Sequence, residues 1–120
     1  MVTDELILWD TDAVLKRVMG KEKILVVLVG SFINDMPAFV EELQSKLNEG
    51  DVAATANSAH AIKGVAANLS ALALADVIAN LESACLDGDE IEKINTLWDR
   101  FMSLYPKTLS LFESWLKAHS

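Results

Sequence analysis

From residue 21 onward the apolar residues recur at steps of three and four. Leu25, Leu28, Phe32, Met36, Phe39, Leu43 and Leu47 form one such row, which predicts a helix from about Lys21 to Leu47 with a single buried face. Residues 24–29, taken alone, read equally well as a buried strand; the longer row decides for helix. Pro37 falls within it, where a missing amide and a ring clash predict a kink or a break. NEGD, at 48–51, supplies the stop and the next cap. A third segment, from Val52 to about Leu69, has a buried row of Val52, Ala56, Ala59, Ile62, Ala66 and Leu69. A fourth, 72–86, presents Leu74, Ile78, Leu81 and Cys85 before DGD at 87–89. The last carries Ile91, Ile94, Trp98, Phe101, Tyr105, Leu109, Phe112 and Leu116, with Pro106 as an expected bend. Near the start, Thr11 or Asp12 can cap a short helix holding Val14, Leu15 and Val18, which stops at Gly20. The apolar 7–9 segment, ILW, is expected to lead in and pack on the rest.

No alternating strand pattern, internal repeat or low-complexity tract competes with this reading. Four long helices joined by short turns imply an all-α fold. The expected architecture is an antiparallel four-helix bundle, with the additional short N-terminal helix lying across one end. A chain of 120 residues that is 52% hydrophobic is long enough to bury a core, and is expected to form a single domain over 1–120.

Charge and composition narrow the function. A formal net charge of −8 argues against nucleic acid, whose phosphates select basic surfaces. The single cysteine, Cys85, has no intrachain partner and reads as core packing, in keeping with a reducing compartment. The longest apolar run is far shorter than a membrane span, and the N-terminus lacks the basic start of a secretory signal. The expectation is a cytoplasmic domain without membrane contact.

The third segment, SAHAIKGVAANLSA over 58–71, is where chemistry concentrates. Gly64 lies in a helix interior, where glycine costs about 1 kcal/mol relative to alanine. Residues three and four apart share a face, so His60 is neighboured by Ala56, Asn57, Lys63 and Gly64, beside the buried row. Lys63 is the sole lysine or arginine between Lys46 and Lys93. A neutral imidazole is a good nucleophile near neutral pH and can carry a covalent group through a two-step transfer. If that group is phosphoryl, an adjacent ammonium stabilises its oxygens, and a glycine one turn on leaves room for a second protein. Plainer readings exist: His60 as an ordinary surface residue, Lys63 as a solvated charge, Gly64 as a contact between close-packed helices.

AHAIKGVAANLSA resembles the signature of histidine-containing phosphotransfer (HPt) domains, a His-x-x-Lys-Gly helix followed by small residues. SFINDMPAFVEELQSKLNEGD at 31–51 is similar to the family's second helix, and Leu81-Glu82 followed by DGD resembles the helix after the histidine. The resemblance covers nearly the whole chain from about Trp9. It implies that His60 accepts a phosphoryl group from a receiver-domain aspartyl phosphate and passes it to another response regulator, or runs the reverse step. Lys63 matches the lysine that contacts the phosphoryl group, and Gly64 the docking glycine. Glu82 matches the residue that accepts a hydrogen bond from the histidine Nδ1 and leaves Nε2 free; its plainer reading is a solvated charge on a helix flank. Asn57, Ala61, Ala67 and Asn68 match positions around the docking face. The implied partners are receiver domains, with a hybrid sensor histidine kinase also possible. The receiver would supply Mg²⁺, the chain itself needing no cofactor, and the domain is expected to be a monomeric phosphocarrier. One departure is visible: LSA at 69–71 has Ser70 where the family often has glycine.

A second class of function stays open at this point, a helical adaptor that binds a signalling partner without phosphotransfer. A metal-binding bundle is disfavoured, since His119 is the other histidine and no Glu-x-x-His pair is present. No Gly-rich phosphate loop supports a nucleotide kinase.

Overall fold

The computed structural model describes residues 7–119. It contains five helices: α1 (Thr11–Arg17), α2 (Glu22–Asn48), α3 (Val52–Asn68), α4 (Leu72–Leu86) and α5 (Ile91–His119), and no strand among the described residues. Helices α2 to α5 follow one another through turns of three or four residues, which sets neighbours antiparallel. α2 packs on α3, α3 on α4, α4 on α5, and α5 closes back on α2. This is the expected four-helix bundle with a short extra helix at its N-terminal end.

The core is the set of side chains that the helical spacing brings inward. Phe32, Phe101, Phe112, Leu25, Met36, Leu43, Ile62, Leu74, Ile78, Leu81 and Ile94 are fully buried. Phe112 of α5 meets Trp9 at 4.7 Å and Phe32 of α2 at 4.8 Å, both edge-to-face. Trp98 and Phe101 stack at 5.0 Å, and the Trp98 indole donates to Gln44 Oε1 on α2. These aromatic contacts join α5, α2 and the lead-in segment into one cluster. Of that segment Trp9 is buried, while Ile7 is exposed.

Several local expectations are corrected. Asp10, rather than Thr11 or Asp12, caps α1 by accepting from the Ala13 amide, and α1 ends at Arg17 rather than running to Gly20. Met19 and Gly20 have left-handed backbone, which no helix turn tolerates. Neither Pro37 nor Pro106 breaks its helix; both lie on exposed faces, where solvent can take the carbonyl left without an amide. Val52 opens α3 at the surface rather than in the core, and Leu28, Phe39 and Leu47 are half-buried. Asp51 caps α3 through its carboxylate and the Ala54 amide, as the 48–51 turn predicts. Cys85 is buried and free; burial and the nearby Glu82 carboxylate push its thiol above the ordinary cysteine value, consistent with a packing role.

Candidate functional site

His60 stands on the solvent side of α3, with 69% of its side chain exposed. Exposure follows from the sequence: Ala59 and Ile62 on either side take the buried row, which turns His60 outward. Its Nδ1 lies 2.9 Å from Glu82 Oε2, and Lys63 Nζ donates to Glu82 Oε1 at 2.7 Å. One carboxylate on α4 therefore holds both candidate side chains of α3. Glu82 reaches them because Leu81 and Cys85 fix the α4 face inward while position 82 lies at its edge, 15% exposed.

The Lys63 hydrogen bond, opposed by burial and reinforced by the bond from His60, holds the Glu82 carboxyl below the usual glutamate range. An ionised carboxylate can only accept, so the neutral ring carries its proton on Nδ1. Nε2 is left with its lone pair facing solvent. A nucleophilic nitrogen with the opposite nitrogen held by a carboxylate is poised to bear positive charge once Nε2 forms a bond.

Lys63, which the resemblance places on the phosphoryl group, donates from its ammonium to Glu82, on the Nδ1 side of the ring. The carboxylate is thus more than a flank charge. Because its folded-state pKa is depressed, Glu82 contributes stability that is full above the ordinary glutamate value of about 4.3. That contribution is lost as pH falls through the lower folded-state value. A carboxyl-carbon NMR titration should place the Glu82 midpoint below the ordinary glutamate value of about 4.3. Lys63→Ala should move it back up, since the ammonium is the largest cause; a Glu82 midpoint unmoved by that change would contradict the arrangement.

Gly64 follows one turn after His60, exposed. A Cβ built there meets nothing within 4 Å, so close helix packing does not explain this glycine. Asn57, Ala61, Ala67 and Asn68 are all exposed on α3, as the face assignment predicts. The sequence reading missed that α2 shares their surface. A groove of about 400 Å³ runs between the two helices, lined by Leu28, Phe32 and Asp35 of α2 and by Gly64, Val65 and Asn68 of α3, among others. A second, of about 230 Å³, joins Glu42 and Lys46 to Asn57 and Ala61, with Phe39 bordering both. The row of buried residues gave no sign of this: Leu28 and Phe39 carry its spacing, and the exposed Ile24 and Val27 of α2 line neither groove. α2 is also long and apolar enough, by length and composition, to cross a membrane; here it is a wall of the bundle.

Among known proteins, the Hpt domain family model matches residues 27–114. Histidine-containing phosphotransfer protein B (HptB) from Pseudomonas aeruginosa PAO1 has a similar solved structure, with a TM-score of 0.85 at 23% identity, covering 94% of this chain and 97% of that one. The HPT domain of a sensor hybrid histidine kinase from Shewanella gives a TM-score of 0.81 at 18% identity, with 94% and 97% covered. No curated protein matches the sequence. At these identities the two structures speak for the fold.

Proposed function

The chain belongs to the Hpt domain family, the phosphorelay intermediates of two-component signal transduction, and from that premise we propose that His60 is the residue that carries the phosphoryl group. The observation that supports this most is the Glu82 carboxylate on Nδ1, 2.9 Å away, with Nε2 exposed. In the forward step the Nε2 lone pair attacks phosphorus of a receiver aspartyl phosphate. The bond between phosphorus and the acyl oxygen breaks, and the aspartate leaves as a carboxylate. The ring becomes an Nε2-phosphorylated imidazolium that keeps its Nδ1 proton, and Glu82 balances that charge. In the reverse step an aspartate oxygen attacks phosphorus, the N–P bond breaks and the electron pair returns to Nε2. Lys63, held within one helical turn, can turn its ammonium from Glu82 to the phosphoryl oxygens.

The receiver supplies Mg²⁺ and the acidic pocket in this scheme, so catalysis here is positioning and charge balance rather than independent enzyme activity. The receiver docks on the α2–α3 face, where Gly64, Asn57, Ala61, Ala67 and Asn68 surround His60. The domain acts as a cytoplasmic monomer, alone or as part of a hybrid sensor kinase. Incubation with a ³²P-phosphorylated receiver tests the reading. The chain should acquire label that is lost in acid and stable in base, as an N–P bond requires; binding without label would instead favour the adaptor.

Gly64 provides a second test, because the chain itself has room for a side chain there. Gly64→Ala should stabilise the helix by about 1 kcal/mol and raise Tm by a few degrees. Gly64→Gln should raise the KM for the phosphorylated receiver, while labelling by phosphoramidate, a small donor that needs no docking, stays unchanged. Receiver kinetics indifferent to Gln at 64 would remove Gly64 from the docking face.

A further inference from the structure

The turn from α3 to α4 contains a residue in an unusual backbone state. Ser70 has φ of +58°, a conformation that glycine adopts freely and other residues adopt at a cost, and it is 2% exposed. The hydrogen bonds around it account for the choice of serine. Arg17 of α1 donates from Nη2 to Ser70 Oγ at 2.8 Å. From Nη1 it donates to the carbonyls of Asn68 at 2.5 Å and Ala67 at 3.2 Å. The Trp9 indole donates to the Leu69 carbonyl, and the Asp10 amide to that of Ser70. α3 has no basic residue in its own last turn, where carbonyls lack helical partners and a cation is favourable. The N-terminal segment supplies what the helix lacks: every carbonyl from Ala67 to Ser70 receives a donor from it.

We propose that Arg17 is a positioning residue for phosphoryl transfer, acting with Ser70 to hold the last turn of α3 in the geometry that the receiver meets. The proposal rests on His60 being the phosphoryl carrier. Two carbonyls that Arg17 grips belong to Ala67 and Asn68, whose side chains are exposed on the docking face, and Asn68 and Leu69 line the groove beside Gly64. A glycine at 70 relaxes the backbone but gives the guanidinium one acceptor fewer; a serine there makes the turn depend on Arg17.

Kinetics of the full chain test this, with phosphoramidate and a phosphorylated receiver as alternative donors. Arg17→Ala should raise the KM for the receiver about 3- to 10-fold, the size expected for the net loss of one ordinary hydrogen bond at a solvent-accessible site. kcat and the phosphoramidate rate should stay within about twofold. Arg17→Lys, which keeps the charge but not the fork, should give an intermediate KM, and serves as the primary variant if Arg17→Ala does not fold. Ser70→Gly should be near neutral alone and should lower the KM of Arg17→Ala when combined with it. An unchanged KM in Arg17→Ala, or strictly multiplicative effects in the double variant, overturns the proposal. A uniform loss that includes the phosphoramidate rate does so too, since it would mean general damage to the site. A wild-type chain that phosphoramidate cannot label refutes the His60 reading itself, and this one with it.

Discussion

His60→Gln is expected to abolish phosphoryl uptake, from either a receiver or phosphoramidate, while leaving the fold intact. The two halves of that expectation have separate causes. Transfer needs a nitrogen lone pair that becomes bonded to phosphorus, and an amide nitrogen has none available. The fold does not depend on the ring, because most of the His60 side chain is in solvent and it fills no core space. A glutamine amide can still donate to Glu82, so the carboxylate keeps both of its donors. Stability should change by less than about 0.5 kcal/mol, as for surface positions in general, and circular dichroism with thermal melting checks this. Label surviving in the variant would place the acceptor elsewhere. A cooperative fold lost in the variant would mean the ring is structural.

Phe112→Ala should have the opposite profile. Phe112 is fully buried and packs edge-to-face on both Trp9 and Phe32, so truncation leaves a cavity where α5, α2 and the lead-in segment meet. Large aromatic truncations cost about 3–5 kcal/mol, a large share of the 5–15 kcal/mol typical of a domain. Chemical denaturation should show the midpoint falling with little change in slope. The loss should also loosen Trp9, whose indole caps the Leu69 carbonyl, so the α3–α4 turn should exchange its amides faster than the centre of α3. An unfolding free energy within about 1 kcal/mol of wild type would show that the aromatic cluster is not the keystone of this end of the bundle.

The helices and the candidate nucleophile were legible in the chain because both are local properties. Apolar spacing of three and four is a property of one helix, and it placed all five segments within a few residues. His60, Lys63 and Gly64 share a turn, so their proximity follows from helical geometry alone. Helix ends were less legible, since Asp10, Thr11 and Asp12 are all acceptable caps and only the three-dimensional path of the chain selects among them.

Glu82 lies 22 residues from His60, and its role was reached through resemblance rather than spacing. Only the packing of α4 on α3 brings its carboxylate within 2.9 Å of the ring and 2.7 Å of Lys63. The part played by α2 was hidden because Leu28 and Phe39 obey the rule for buried residues while lining an open groove. Arg17 was hidden for a similar reason: its partners are backbone carbonyls some fifty residues on, and carbonyls leave no mark in a sequence. By itself the sequence determined which residues form helices and which histidine is the candidate to react. Tertiary structure decided what that histidine is bonded to and which surface surrounds it, because those contacts join segments whose separation no periodicity encodes.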